Sequence, residues 1–189
     1  MAKLEVLTYP HEILKAVAKR VDAYNDDLKT LADNMLETMY VAPGVGLAAP
    51  QVGQSIRLIV VDTRPSDDEG HYISENMTEL EKNATYPIVM VNPVIKSKKG
   101  QIKWEEGCLS VPGYTEEVER AEWIEVEYQD TLGKKHKMQA DSLLGVCIQH
   151  EIDHLDGKVF IERLSQLKFD RIRKQIRKYG YEVDDEQEA

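Results

Sequence analysis

The stretch Gln149-His150-Glu151-Ile152-Asp153-His154 constrains this chain more than any other. It lies in a segment that reads as a helix from Asp141 to about Leu155. Leu143, Leu144, Val146, Cys147 and Ile148 make the preceding turns apolar, so a deeply buried helix is expected. Asp141 suits the N-cap, because its carboxylate can accept from the free amides of the first turn. Gly157 is placed to end the helix. Two imidazoles and two carboxylates on a buried helix all need partners. His150 and His154 are four apart, so both leave one helix face and can converge on one metal ion. Glu151 is offset by about 100° around the axis. Its carboxylate therefore sits beside that ion, where it can take a proton from water. This is the HExxH arrangement of metal-dependent hydrolases. The alternative is a pair of hydrogen-bonded core histidines, and two ligands alone do not complete a site.

A chain of 189 residues can bury one sizeable core, and one domain spanning 1–189 is expected. Its net charge of −10 argues against nucleic-acid binding over the whole surface, while leaving room for a local basic patch. The first ten residues have no apolar core of signal-peptide length. No run approaches a membrane span. The expected location is the cytoplasm. There a free thiol or a metal ligand is the default for each of the two cysteines, Cys108 and Cys147.

Taken in order, Pro10 to Val21 is expected to form a short helix carrying Ile13, Leu14, Val17 and Val21. Asn25 should cap a second helix whose apolar face is Leu28, Leu31, Ala32, Met35 and Met39. The small-residue stretch Pro43 to Gln51 lets another backbone approach closely. It lacks the lysine and spacing of a phosphate-binding loop. Arg57 to Val61 and Pro87 to Asn92 read as strands, separated by a polar loop over 64–86 that includes Asp67, Asp68 and Glu69. Val94 to Lys98 and Gln101 to Trp104 are expected to pair as a hairpin around Lys99-Gly100. Trp123 to Tyr128 alternates, and Asp130 to Gly133 turns it into Lys135 to Gln139. His136 reads as a solvent-facing side chain. The fold class is therefore α+β, with mainly antiparallel sheets around a central metal-binding helix and a further helix at the C-terminus.

Glu105-Glu106-Gly107-Cys108-Leu109-Ser110 offers a third ligand. A buried structural cysteine is the usual reading of such a residue. Held near the two histidines, Cys108 would complete a Cys-His-His set that leaves one coordination position open for catalysis. Three motifs now stand together: Gly44-Val45-Gly46-Leu47-Ala48-Ala49-Pro50-Gln51, Glu106-Gly107-Cys108-Leu109-Ser110 and Gln149 to His154. In order and spacing they resemble peptide deformylase, and the likeness runs from the first helix to about residue 178. The resemblance implies that Cys108, His150 and His154 hold one divalent metal ion. Fe²⁺ is the family's usual metal, and Zn²⁺, Ni²⁺ or Co²⁺ can replace it. It also implies Glu151 as general base and acid, with the Gln51 amide and the Leu109 N–H facing the developing oxyanion. The implied reaction removes the formyl group from the N-terminal formyl-methionine of nascent polypeptides, releasing formate.

By the same resemblance, Val45, Leu143, Val146 and Cys147 line an apolar pocket for the methionine side chain. The peptide would run as an added strand against Gly44 to Gly46 and the segment around Gly107. Two departures stand out. The 64–86 loop is longer than in compact relatives, and Thr115 stands where some members carry an arginine that meets the substrate backbone. The chain is expected to be a monomer. A helix over about 165–179, with Phe169, Ile172, Ile176 and Tyr179 as its stripe, concentrates Lys168, Arg171, Arg173, Lys174, Arg177 and Lys178. An acidic tail, 180–189, follows. The resemblance to bacterial deformylases with such helices implies that the helix docks on ribosomal RNA near the exit tunnel, the alternative being a solvated helix packed by its stripe. Its removal with the tail is expected to weaken ribosome binding and spare turnover of short peptides. The competing readings are another metal-dependent amidase, or a non-catalytic ribosome-associated protein with a structural metal.

Overall fold

The computed structural model describes residues 2–66 and 70–181, so Asp67, Asp68, Glu69 and most of the acidic tail lie outside the described residues. In chain order come α1 (Asp26–Val41), β1 (Gly46–Ala48), β2 (Leu58–Val61), α2 (Glu79–Asn83), β3 (Ile88–Lys99) and β4 (Ile102–Glu106). There follow β5 (Glu116–Arg120), β6 (Trp123–Gln129), β7 (Lys135–Asp141), α3 (Ser142–Leu155) and α4 (Gln166–Tyr179). One sheet has the order β1-β2-β3-β6-β7, and β4 and β5 form a second. Every pairing between named strands is antiparallel. The α+β reading with mainly antiparallel sheets holds.

The first sheet is covered differently along its width. Ile59 and Val61 of β2 pack with Leu144, Ile148 and Ile152 of α3. Leu58 and Val60 pack with Leu28, Ala32, Met35 and Met39 of α1. A strand with helices on both faces needs apolar residues throughout, which is why β2 shows no alternation. Farther along, Ile124 and Val126 of β6 join the α3 cluster, while Glu125 and Glu127 point away from it. The HExxH helix therefore lies across the inner face of the sheet, and every residue from Leu144 to Leu155 is buried.

Four local expectations need correction. Only Glu12–Lys15 of the first segment is helical, as a single 3₁₀ turn, and Val17 is exposed. Beyond it the backbone bonds to other elements, Ala18 N–H to Leu155 C=O at 2.8 Å and Lys19 N–H to Ser55 C=O at 2.9 Å. Those bonds take the donors a helix would use. Second, β3 does not stop at Asn92. It bulges there, with Asn92 at a φ of +51°, and continues to Lys99. The Asn92 side chain clamps Val21 N–H and C=O, both at 2.8 Å, and holds the left-handed turn. Third, the 94–99 and 102–106 segments do not pair with each other. β6 occupies the place beside β3, so β4 crosses to β5. The β5 strand, Glu-Glu-Val-Glu-Arg, has too few apolar residues to show a period.

The fourth correction concerns the start of α3. The Asp141 carboxylate makes no cap bond and instead accepts from Thr78 Oγ1 at 2.6 Å. Glu81 does the capping, accepting from Leu144 N–H at 3.2 Å. Glu81 lies in α2, itself opened by a Thr78/Glu81 capping box. The segment expected as loop therefore contains a helix that holds the N-terminus of α3. At the other end Gly157, at φ +72°, closes α3 as expected. His136 is paired with Asp130 at 2.8 Å and stacked on Tyr128. In α4, Ile172 and Ile176 are buried but Tyr179 is exposed. Gly180 turns the chain, and Tyr181 packs in its place.

Candidate metal centre and catalytic site

Helix α3 presents His150, Glu151 and His154, and the turn between β4 and β5 brings Cys108 to meet them. Cys108 Sγ lies 3.2 Å from His154 Nε2. Ligand atoms of Cys108, His150 and His154 all fall within 4.8 Å of one another. Burial would raise the Cys108 pKa, but the His154 and His150 imidazoles outweigh it and bring it down to about 5. A thiolate with two imidazoles is the donor set of a borderline-soft divalent ion. The Nδ1 atom of His154 and Oε2 of Glu151 are buried without a hydrogen-bond partner among the described residues. Unpartnered polar atoms around a thiolate fit a centre that takes a cation and water.

Behind these three residues runs a chain of buried charges. His150 Nδ1 lies 2.8 Å from Glu106 Oε2. Arg120 grips Glu106 at 2.6 and 2.8 Å and reaches Asp153 at 2.5 Å, and Arg163 holds Asp153 from the far side. Burial pushes the Glu106 and Asp153 carboxyls up, but their arginine partners, with His150 for Glu106, outweigh it and leave both below the usual carboxylate range. Glu106 is then an acceptor for His150 Nδ1–H, which turns Nε2 toward the ligand cluster. Sequence reasoning gave no role to Glu106 or Asp153 and missed Arg120 and Arg163. The available signal was Arg120 itself, a lone base two residues after Val118 on the inward face of β5.

Glu151 is buried, and burial lifts its carboxyl to about 7 against the opposing pull of His150 and His154. Gly46 lies directly against it. A Cβ there would meet Glu151 Oε1 at 2.5 Å and Cys147 Sγ at 2.7 Å. Gln51 is locked at both ends of its amide. Its Oε1 accepts from Ala48 N–H at 2.8 Å, and its Nε2 donates to Ser110 Oγ at 3.1 Å and approaches Cys108 Sγ at 3.6 Å.

A cavity of about 600 Å³ opens onto these groups. Val45, Gly46, Gln51, Gly107, Cys108, Leu109, Leu143, Val146, Cys147, His150 and Glu151 line it, and His154 sits beneath the surface. Trp104, Tyr114 and Thr115 also reach the cavity. Burial raises the Cys147 thiol well above its ordinary value, the opposite of Cys108.

The polypeptide deformylase family model matches residues 3–170. The chain belongs to the polypeptide deformylase family. A peptide deformylase of Alkalilimnicola ehrlichii is 45% identical over 178 residues, covering 94% of this chain and 91% of the relative. The crystal structure of a Legionella pneumophila peptide deformylase superposes with a TM-score of 0.79 at 41% identity, covering 94% of this chain and 95% of the other. That of the Ehrlichia chaffeensis enzyme in complex with actinonin gives 0.82 at 37% identity, covering 96% and 100%. Like other deformylases, the chain is a metal-dependent enzyme that removes the N-formyl group from nascent polypeptides.

Proposed function

We propose that Cys108, His150 and His154 hold a single Fe²⁺ ion, and that Glu151 carries the proton through the reaction. The observation that supports this most is the gathering of a thiolate and two imidazoles beside a buried, unpartnered carboxylate at the floor of an apolar cavity. When bound, the ion supplies Lewis acidity to the formyl carbonyl and lowers the pKa of water. Glu151 takes the proton of the attacking water and later gives it to the leaving amine, a double duty suited to a carboxyl near 7. Gln51 Nε2 and Leu109 N–H donate to the oxygen as it gains charge, where one donor is worth about 3 kcal/mol. Formate leaves, and the peptide keeps a free amino group.

The methionine side chain fits between Val45, Leu143, Val146 and Cys147. The peptide can add to the sheet at β1, an edge strand. Asp62 N–H donates to Val45 C=O, so alternation turns the Gly46 backbone groups to the free edge. One chain supplies all three ligands, so a monomeric catalytic domain spanning 1–189 suffices. A substrate emerging from ribosomes supports a cytoplasmic location. Metal analysis of anaerobically purified protein, with formate release measured on the same sample, tests the metal. Iron that tracks activity supports Fe²⁺, and iron-free protein of full activity contradicts it.

Helix α4 is our candidate ribosome contact. Lys168 and Arg171 are already paired with Glu116, and Arg173 with Asp170. Lys174, Arg177 and Lys178 have no ion-pair partner among the described residues, though Lys178 lies over the Tyr179 ring, so Lys174 and Arg177 are the cations best left for phosphate. The double reversal Lys174→Glu, Arg177→Glu should weaken ribosome binding at low salt without altering turnover of short peptides. Equal binding would end this reading. Deleting 166–189 is a poor test, because it strips Ile172 and Ile176 from the core.

A further inference from the structure

Ser110 is the hub of the loop that carries Cys108 and Leu109. Its N–H donates to Cys108 Sγ at 3.4 Å, its Oγ accepts from Gln51 Nε2 at 3.1 Å, and its C=O accepts from Tyr9 N–H at 2.8 Å. One more group reaches this hub, from the other end of the chain. Tyr181 O–H donates to Tyr9 C=O at 2.7 Å and lies 3.5 Å from Ser110 C=O. The ring arrives there because Gly180, at φ +71°, reverses the chain after α4. It packs at the edge of the cluster that holds Tyr9, Val111, Ile172 and Ile176, and Cys108 packs at the edge of the same cluster. Burial, reinforced by the charge of Cys108, pushes the Tyr181 pKa up, so the phenol stays a donor.

We propose that Tyr181 is a positioning residue for deformylation, its O–H fastening the Cys108–Ser110 loop from outside. The proposal rests on the reading of Cys108 as metal ligand and Leu109 as oxyanion donor. Catalytic groups must be held within about 0.5 Å of productive geometry, and loops do this less well than helices or strands. His150, Glu151 and His154 have α3 to hold them. Cys108 and Leu109 stand on a turn, and Ser110 ties that turn to Gln51. Fixing the Ser110 and Tyr9 carbonyls therefore fixes the thiolate, the Leu109 N–H and the Gln51 amide relative to one another. Tyr181 lies beyond residues 3–170, the span that the family model matches.

Tyr181→Phe removes only the O–H and keeps the ring in its cluster. Full-length parent and variant would be loaded with Co²⁺ under anaerobic conditions. Four readouts would be compared: the thiolate-to-cobalt absorption band, cobalt loss to excess chelator, kcat and KM on a formyl-Met peptide, and the melting temperature. We expect kcat to fall and cobalt loss to quicken by about three- to tenfold, with KM within about twofold. A kcat within about 1.5-fold of the parent would reduce Tyr181 to C-terminal packing and overturn the proposal, whatever the melting temperature does. Absence of the thiolate band from the parent would instead overturn the ligand reading itself, and the proposal with it.

Discussion

A methyl group on Gly46 would lie 2.5 Å from Glu151 Oε1 and 2.7 Å from Cys147 Sγ. Both neighbours are buried on α3, so one must shift. Gly46→Ala should therefore keep its metal and lower kcat about tenfold or more, as displaced catalytic groups do. Metal content and formate release on one sample check this, and an unchanged kcat would show that Glu151 has slack. The two cysteines make a matched pair of tests. Cys108→Ala should lose tightly held metal, because two histidines alone bind weakly. Cys147→Ala should retain it. The reverse result would exchange the roles of the two thiols. At this scale the site was largely legible, because His150, Glu151 and His154 are local in sequence and fixed by helical spacing. The need for glycine at position 46 was not, since it arises from contact with a helix about a hundred residues later.

Helix α3 owes its N-terminal cap to Glu81, not to the Asp141 that precedes it in sequence. Removing that carboxylate in Glu81→Ala should cost about 1–2 kcal/mol, read from urea unfolding, whereas Asp141→Ala should cost less. Equal losses would return the cap to Asp141. Local capping rules identified the right kind of residue and the wrong one, because the partner comes from a segment whose own periodicity is too short to show. The buried run from Glu106 through Arg120 to Asp153 was hidden for the same reason: β5 carries a single apolar residue. Its pH signature follows from the shifts. Folded Glu106 and Asp153 sit below the usual carboxylate range, so they stabilise the fold fully above their unfolded values near about 4. That stabilisation is lost as pH falls through the folded values. Arg120→Met removes the main partner of Glu106 and one of the two arginines on Asp153, so the acid limb of the stability profile should move to higher pH. Unfolding midpoints measured between about pH 3 and 7 would show it, and a superimposable profile would mean the cluster contributes nothing to acid resistance.

At the scale of the whole molecule, each of the three hydrophobic clusters reaches the cavity, through Cys147 in the first, Leu109 at the edge of the second and Cys108 at the edge of the third. The sheet supplies Gly46 and the edge strand β1, α3 supplies His150, Glu151 and His154, and the β4–β5 turn supplies Cys108. The α+β class and the central helix were legible because long apolar periods survive any tertiary context. Which strand lies beside which was not, since the exchange of β4 for β6 beside β3 depends on residues far apart in the chain. No helix of the described residues is long and apolar enough to cross a membrane. With Cys108, His150 and His154 proposed to hold the ion and Glu151 the proton, ligands and proton carrier are separate groups on one helix and one turn. Glu151→Ala, purified anaerobically, tests this separation with two numbers from one sample, metal per chain and rate of formate release. We expect parent-level metal and a kcat lowered at least about 100-fold. Metal loss, or more than about a tenth of parental turnover, would contradict it.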